Sequence, residues 1–151
     1  MGRILTVFNA LGLMLVVFSA TYLIPVVAAV IYADKTLMID FLLAMLLTFG
    51  GGLLMWMLTR RYKGELSIRH GYLLVVTMWT AMPLFATIPM LLAMPGLSFT
   101  DAYFETMSAM TTTGATVLVG LDDLPPAINV WRHELQWMGG LGVIVLAVAV
   151  L

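Results

Sequence analysis

The sequence predicts an all-α integral membrane protein, on three observations. Hydrophobic residues fill 62% of its 151 positions and charged residues only 10%. Mean hydropathy is +1.06. The apolar residues also fall into four runs, each close to the ~20 helical residues that cross the hydrocarbon of a bilayer. A soluble domain of this length would be about a quarter charged, because water must wet its surface. Lipid is therefore the expected solvent for most of this chain.

The first run, Ile4 to Tyr32, is interrupted only by Pro25. Arg3 ahead of it resembles the start of a signal peptide, but the run is about twice the usual length of such a segment. It is read as a membrane helix. The second run, Leu37 to Leu58, follows the polar break Ala33-Asp34-Lys35-Thr36 and carries Asp40 near its start. It ends at Arg60-Arg61-Tyr62-Lys63-Gly64-Glu65. The third covers about 72–94, where Pro83, Pro89 and Pro95 predict a bent helix in its second half. The fourth begins near Trp131 and is still apolar at Leu151, with no basic or helix-ending signal after Val148-Ala149-Val150. That helix is expected to continue past the given sequence.

Alternating these spans puts Arg3, Arg60, Arg61, Lys63 and Arg69 on one side of the bilayer, with Lys35 and Arg132 on the other. Five basic residues against two predict a cytoplasmic N-terminus, because short cytoplasmic loops are enriched in Lys and Arg. Trp131, Trp137 and Tyr103 are expected at the outer interface, the depth that suits amphipathic rings.

The segment between runs three and four, Pro95 to Pro126, has the pattern of a re-entrant loop. Ser98 and Asp101 have the spacing of a helix N-terminal cap. Phe99, Ala102, Tyr103, Phe104, Met107 and Met110 recur at helical spacing. A helix of about 12 residues is ~18 Å long, too short to cross. It runs into Thr111-Thr112-Thr113-Gly114-Ala115-Thr116. Non-helical backbone at membrane depth is tolerated only where protein buries it or it lines a watery cavity. Uncharged oxygens presented by carbonyls and threonine hydroxyls can replace the hydration shell of a monovalent cation. Gly114 permits the backbone angles that aligning carbonyls demands. The C-terminus of the short helix adds a partial negative charge aimed at the cation. A threonine-rich loop with one glycine is also common in proteins without such a role, so the placement after a short helix, between two spans, carries the reading.

Glu105 is an ionisable residue at membrane depth, a functional suspect by default. Pairing with Arg132 or His133 is expected, as a clamp on the loop in preference to direct attraction of an ion. Asp101, Asp122 and Asp123 are expected near the outer mouth. Gly139, Gly140 and Gly142, near the start of the fourth run, predict close backbone packing that seats the short helix. Gly50-Gly51-Gly52 predicts a packing contact or a bend.

Other classes are disfavoured. Seven basic residues without a basic face make no footprint for nucleic acid. There is no cysteine, hence no disulfide framework or thiolate metal site. His133-Glu134 lacks the second histidine of a His-Glu-x-x-His site. No paired carboxylates or phosphate-binding glycine loop supports an enzyme, and no organic cofactor is expected.

The runs Phe104-Glu105-Thr106-Met107-Ser108-Ala109-Met110-Thr111-Thr112-Thr113-Gly114-Ala115-Thr116 and Trp131-Arg132-His133-Glu134-Leu135-Gln136-Trp137-Met138-Gly139-Gly140-Leu141-Gly142 resemble the first pore unit of the Trk/Ktr/HKT potassium transporter superfamily, in its bacterial Trk branch. The resemblance is specific from about residue 98 onward; before that it is mostly hydropathy. It implies two N-terminal transmembrane helices (1–65), then one membrane–pore-loop–membrane unit (66–151) of a potassium-channel-like fold. The outer helix would cover about 68–94, the pore helix about 99–110, the filter about 111–116 and the inner helix about 128–151.

The resemblance implies potassium as the transported ion, held by carbonyls of Thr112, Thr113, Gly114 and Ala115, with Thr111, Thr116, Glu105 and Arg132 in support. It also implies further pore repeats in a longer chain, a homodimer, a cytoplasmic nucleotide-binding gating subunit and a bacterial inner membrane. Two alternatives stay open: a homotetrameric cation channel built from four copies of this chain, and a non-conducting assembly subunit.

Overall fold

The structure is a computed structural model that describes residues 2–62, 64 and 67–150, with side chains over 4–62, 64 and 67–144. Among them there is helix and no strand. The side chains of Arg3, Lys63 and Glu65, and the end of the fourth run beyond residue 144, lie outside the described side chains.

Helices α1 (Gly2–Ser19) and α2 (Leu23–Ile31) form one span, Ile4–Ile31, joined by a 3-10 turn at Ala20–Tyr22. Pro25 explains that turn. It has no N–H for the Thr21 carbonyl, and its ring crowds that carbonyl, so the helix tightens locally instead of stopping. Helix α3 (Lys35–Thr59) follows after three residues, with Asp34 as its N-cap accepting from the Leu37 N–H at 3.0 Å. It runs antiparallel to α1: Asn9 donates to the Trp56 carbonyl at 3.4 Å, whereas Thr48 donates to the Tyr22 hydroxyl at 3.1 Å. The two backbones cross closely. A Cβ on Gly52 would stand 2.8 Å from the Gly12 carbonyl oxygen, so the contact expected for the glycine run is made by Gly52, with Gly12 as its partner.

Helix α4 (Ile68–Ala93) contains Pro83 and Pro89 without interruption. Pro89 leaves the Phe85 carbonyl without its helical donor, and the Tyr22 hydroxyl supplies one at 3.0 Å. Helix α5 (Phe99–Met110) has the bounds read from the sequence. Ser98 caps it: its Oγ accepts from the Asp101 N–H at 3.1 Å and donates to the Asp101 carboxylate at 2.7 Å. Helix α6 (Pro126–Val150) starts two residues before the expected 128. Proline is preorganised for the first helical position, where its missing N–H costs nothing.

One aromatic cluster joins the two halves. Trp131 is fully buried, its ring 4.5 Å from Tyr22, 5.9 Å from Phe41 and 6.0 Å from Phe18. Its indole N–H donates to the Ala86 carbonyl at 3.1 Å. This corrects the expectation of an interfacial Trp131: the rule for membrane tryptophans cannot tell a ring at headgroup depth from one turned into the bundle. Trp137 is exposed. Elsewhere the surface is apolar, with Val17, Ile31, Leu58 and Ile68 among many large side chains left uncovered. Such a surface is stable in lipid and an aggregation hazard in water. Among the described residues, three helical spans, Ile4–Ile31, Lys35–Thr59 and Ile68–Ala93, are long and apolar enough to cross a membrane. This is an integral membrane protein.

Candidate functional site

The segment after α5 does not continue as helix, and its path follows from how α5 ends. Thr112 N–H bonds to the Ala109 carbonyl at 3.0 Å and Thr113 N–H to the Ser108 carbonyl at 2.9 Å. This is a Schellman ending, which requires a left-handed residue at the position of Thr112. Thr112 has φ 55°. Threonine is β-branched and poorly suited to that region, so the conformation stores about 1 kcal/mol or more. Two residues on, Gly114 has φ 75°. In ordinary extended chain successive carbonyls point to opposite sides. Left-handed residues at alternate positions remove that alternation and let neighbouring peptide units face the same way.

Depth is set by α6. A Cβ on Gly139 would overlap the Met110 carbonyl, so only glycine lets α5 end there. Gly139 is the fourteenth residue of α6, about 20 Å from its start at 1.5 Å per residue. The chain then returns to the other end of the helix, where Asn129 donates to the Leu121 carbonyl at 2.8 Å. Residues 111–120 therefore climb from the middle of α6 back to its beginning. The glycines expected to seat the short helix lie halfway along α6 and not at its start. Gly139 makes the seat, and Gly140 faces the Thr112 methyl at a looser distance.

Glu105 holds the return strand. Its Oε1 accepts from the Thr116 hydroxyl and the Val117 N–H, both at 2.5 Å. Its Oε2 pairs with Arg132 at 3.3 Å, with side chains 1% and 11% exposed. Arg132 also reaches the Thr116 hydroxyl at 3.5 Å. Of the two partners expected for Glu105, Arg132 is the one found; His133 lies outside, 2.6 Å from the Asn129 carbonyl. A charge taken from water needs such partners, and here both carboxylate oxygens have them.

The threonine hydroxyls are partly committed. Thr111 donates to the Met107 carbonyl at 2.8 Å, and its oxygen lies 2.8 Å from the Thr113 hydroxyl. Thr111 to Val117 are all exposed. The chain thus brings Thr111, Thr112, Thr113, Gly114, Ala115, Thr116, Glu105 and Arg132 together, with the first six forming an uncovered rim. Asp122 and Asp123 are exposed just beyond the loop, and Asp101 sits at the start of α5.

Sequence reasoning missed two residues. Ser108 donates to the Ala115 carbonyl at 2.6 Å; a serine inside an amphipathic helix gives no sign of this. Glu134 is buried, with its Oε2 unbonded among the described residues. Among those residues no group of three His, Cys, Asp or Glu stands close enough for a metal ion.

Residues 33–151 match the family described as TrkH, cation transport protein. The Trk system potassium uptake protein TrkH of Vibrio parahaemolyticus is 46% identical over 147 residues, 97% of this chain and 30% of the relative. TrkH of Escherichia coli K12 is 45% identical over 144 residues, 93% of this chain and 29% of the relative. The crystal structure of the potassium transporter TrkH from Vibrio parahaemolyticus superposes with a TM-score of 0.90 at 45% identity, covering 97% of this chain and 31% of that one. The chain spans about a third of the length of the curated relatives it matches. It belongs to the TrkH family of cation transport proteins.

Proposed function

We propose that this chain supplies one of the four selectivity-filter strands through which potassium is taken up across a bacterial inner membrane. Carbonyls of Thr112, Thr113, Gly114 and Ala115 hold the ion, and the membrane potential drives entry, worth ~2.3 kcal/mol per charge per 100 mV. The observation that carries this reading is the pair of left-handed residues, Thr112 and Gly114, in an uncovered strand between a short helix and a long one. Strain of that kind persists where the surrounding structure over-determines it, and it clusters at functional sites.

On this reading the chain divides into two peripheral helices, 1–65, and one membrane–pore–membrane unit, 66–151. One strand cannot surround an ion. The relatives are about three times longer, which favours further repeats in a longer chain over four copies of this one. The homodimer and the cytoplasmic nucleotide-binding partner that the resemblance implies would belong to that longer protein. Arg60, Arg61 and Arg69, grouped at the α3–α4 turn, favour a cytoplasmic N-terminus.

The test is rubidium uptake by bacteria lacking their own potassium transporters, expressing the full-length gene product with and without Gly114→Ser. Among the described residues a Cβ at Gly114 meets nothing within 4 Å, and its φ of 75° disfavours any side chain, so within this unit the substitution acts through backbone conformation. Saturable uptake whose rate or sodium discrimination changes with Gly114→Ser supports the filter. Uptake indifferent to it rejects this location, and no uptake in either form, with protein in the membrane, favours an assembly subunit.

A further inference from the structure

Resting on the filter reading, we infer that Ser108 is a positioning residue that sets the geometry of the filter at Gly114 and thereby its discrimination between potassium and sodium. Ser108 binds the strand twice. Its carbonyl accepts from the Thr113 N–H at 2.9 Å, and its hydroxyl donates to the Ala115 carbonyl at 2.6 Å. Those two bonds bracket Gly114, which has φ 75° and where, among the described residues, an added Cβ would meet nothing within 4 Å. Among the described residues no side chain packs against Gly114 from that side, so within this unit its peptide units are located by what happens at 113 and 115.

The two bonds differ in origin. The first is a helix-ending bond that any residue at position 108 would offer. The second exists only because position 108 carries a hydroxyl. Ser108 is buried, 7% exposed, so little water competes for its hydroxyl, and a buried donor without a partner is costly. A carbonyl oxygen has two lone pairs. With one taken by Ser108, the direction of the Ala115 oxygen is set from α5, and one lone pair is left to accept a cation.

Glu105 lies one turn before Ser108 on the same side of α5 and holds the next residues, Thr116 and Val117. The strand is thus pinned at 113, 115, 116 and 117, and Gly114 lies between the pinned residues. Sodium and potassium differ in radius, and a strand free to collapse accommodates the smaller ion. Loss of the Ser108 hydroxyl frees the Ala115 carbonyl to turn, and the filter relaxes about Gly114.

The experiment uses the full-length gene product in transport-deficient bacteria, measuring potassium (as rubidium) and sodium uptake for the unmodified protein, Ser108→Ala, Ser108→Thr and Gly114→Ser, normalised to protein in the membrane. Ser108→Ala is expected to lower potassium-over-sodium discrimination roughly five- to tenfold, the ratio that one lost hydrogen bond corresponds to. Ser108→Thr, which keeps the hydroxyl, is expected to restore it to within about twofold. If Ser108→Ala does not accumulate, Ser108→Cys, with its weak donor, is expected to fall between the two. Unchanged discrimination in Ser108→Ala or Ser108→Cys, with Gly114→Ser altered, overturns the role of Ser108 and leaves the filter standing. Unchanged rate and unchanged discrimination in all of them, Gly114→Ser included, overturn the filter itself.

Discussion

Two helices in this molecule end in the same way and lead to different things. At the end of α2, Ala33 N–H bonds to the Val30 carbonyl and Asp34 N–H to the Ala29 carbonyl; at the end of α5, Thr112 and Thr113 bond to Ala109 and Ser108. In each case a residue that is not glycine takes φ 55°. After Ala33 the chain starts the next helix at once, with Asp34 serving as its cap. After Thr112 the chain leaves helix, takes a second left-handed residue at Gly114, and is tied to α5 by Ser108 and Glu105. The turn itself carries no function. What distinguishes the second turn is the repeat of the left-handed conformation and the side chains that hold it.

That contrast can be broken most severely at Gly139, which has no counterpart at the first turn. Gly139→Ala places a methyl in the Met110 carbonyl and forces α5 away from α6. Overpacking of this kind costs ~1–3 kcal/mol or more, and the expected outcome is at least a roughly tenfold loss of uptake per protein in the membrane. Glu105→Ala is next. It leaves the partly exposed Arg132 without its partner and frees Thr116 and Val117, at a cost of about 1–3 kcal/mol, the range for polar groups left unpaired. A lowered melting temperature in detergent, together with lost uptake, is the expected result; retained stability would show that the pair does not clamp the strand.

Thr112→Gly separates strain from function. It relieves about 1 kcal/mol at a left-handed position, so stability should hold or rise slightly while sodium discrimination falls, because the strand becomes freer. The same change at the first turn, Ala33→Gly, is expected to raise stability by a few tenths of a kcal/mol and to leave transport untouched. A transport defect in Ala33→Gly would remove the contrast between the two turns.

Much of this was readable before any coordinates. The bounds of α5 followed from Ser98, Asp101 and the apolar spacing up to Met110, because local caps and periodicity decide where a short helix begins and ends. The place of the loop followed from a helix too short to cross. Glu105 announced itself as a charge that lipid would not tolerate, although the sequence left Arg132 and His133 as equal partners. What stayed hidden was long-range. Gly12 opposite Gly52, Trp131 inside an aromatic cluster, and Gly139 beneath Met110 depend on which helix faces which, and periodicity carries no such information. Ser108 was hidden for a different reason: its bond to Ala115 exists only because two left-handed residues fold the strand back over α5.

The most direct measurement is anomalous X-ray scattering from rubidium-soaked crystals of the full-length gene product. The account predicts rubidium density beside the carbonyls of residues 112–115, lost or displaced in Gly114→Ser. Rubidium ordered elsewhere in the membrane region, with none beside this strand, would contradict it.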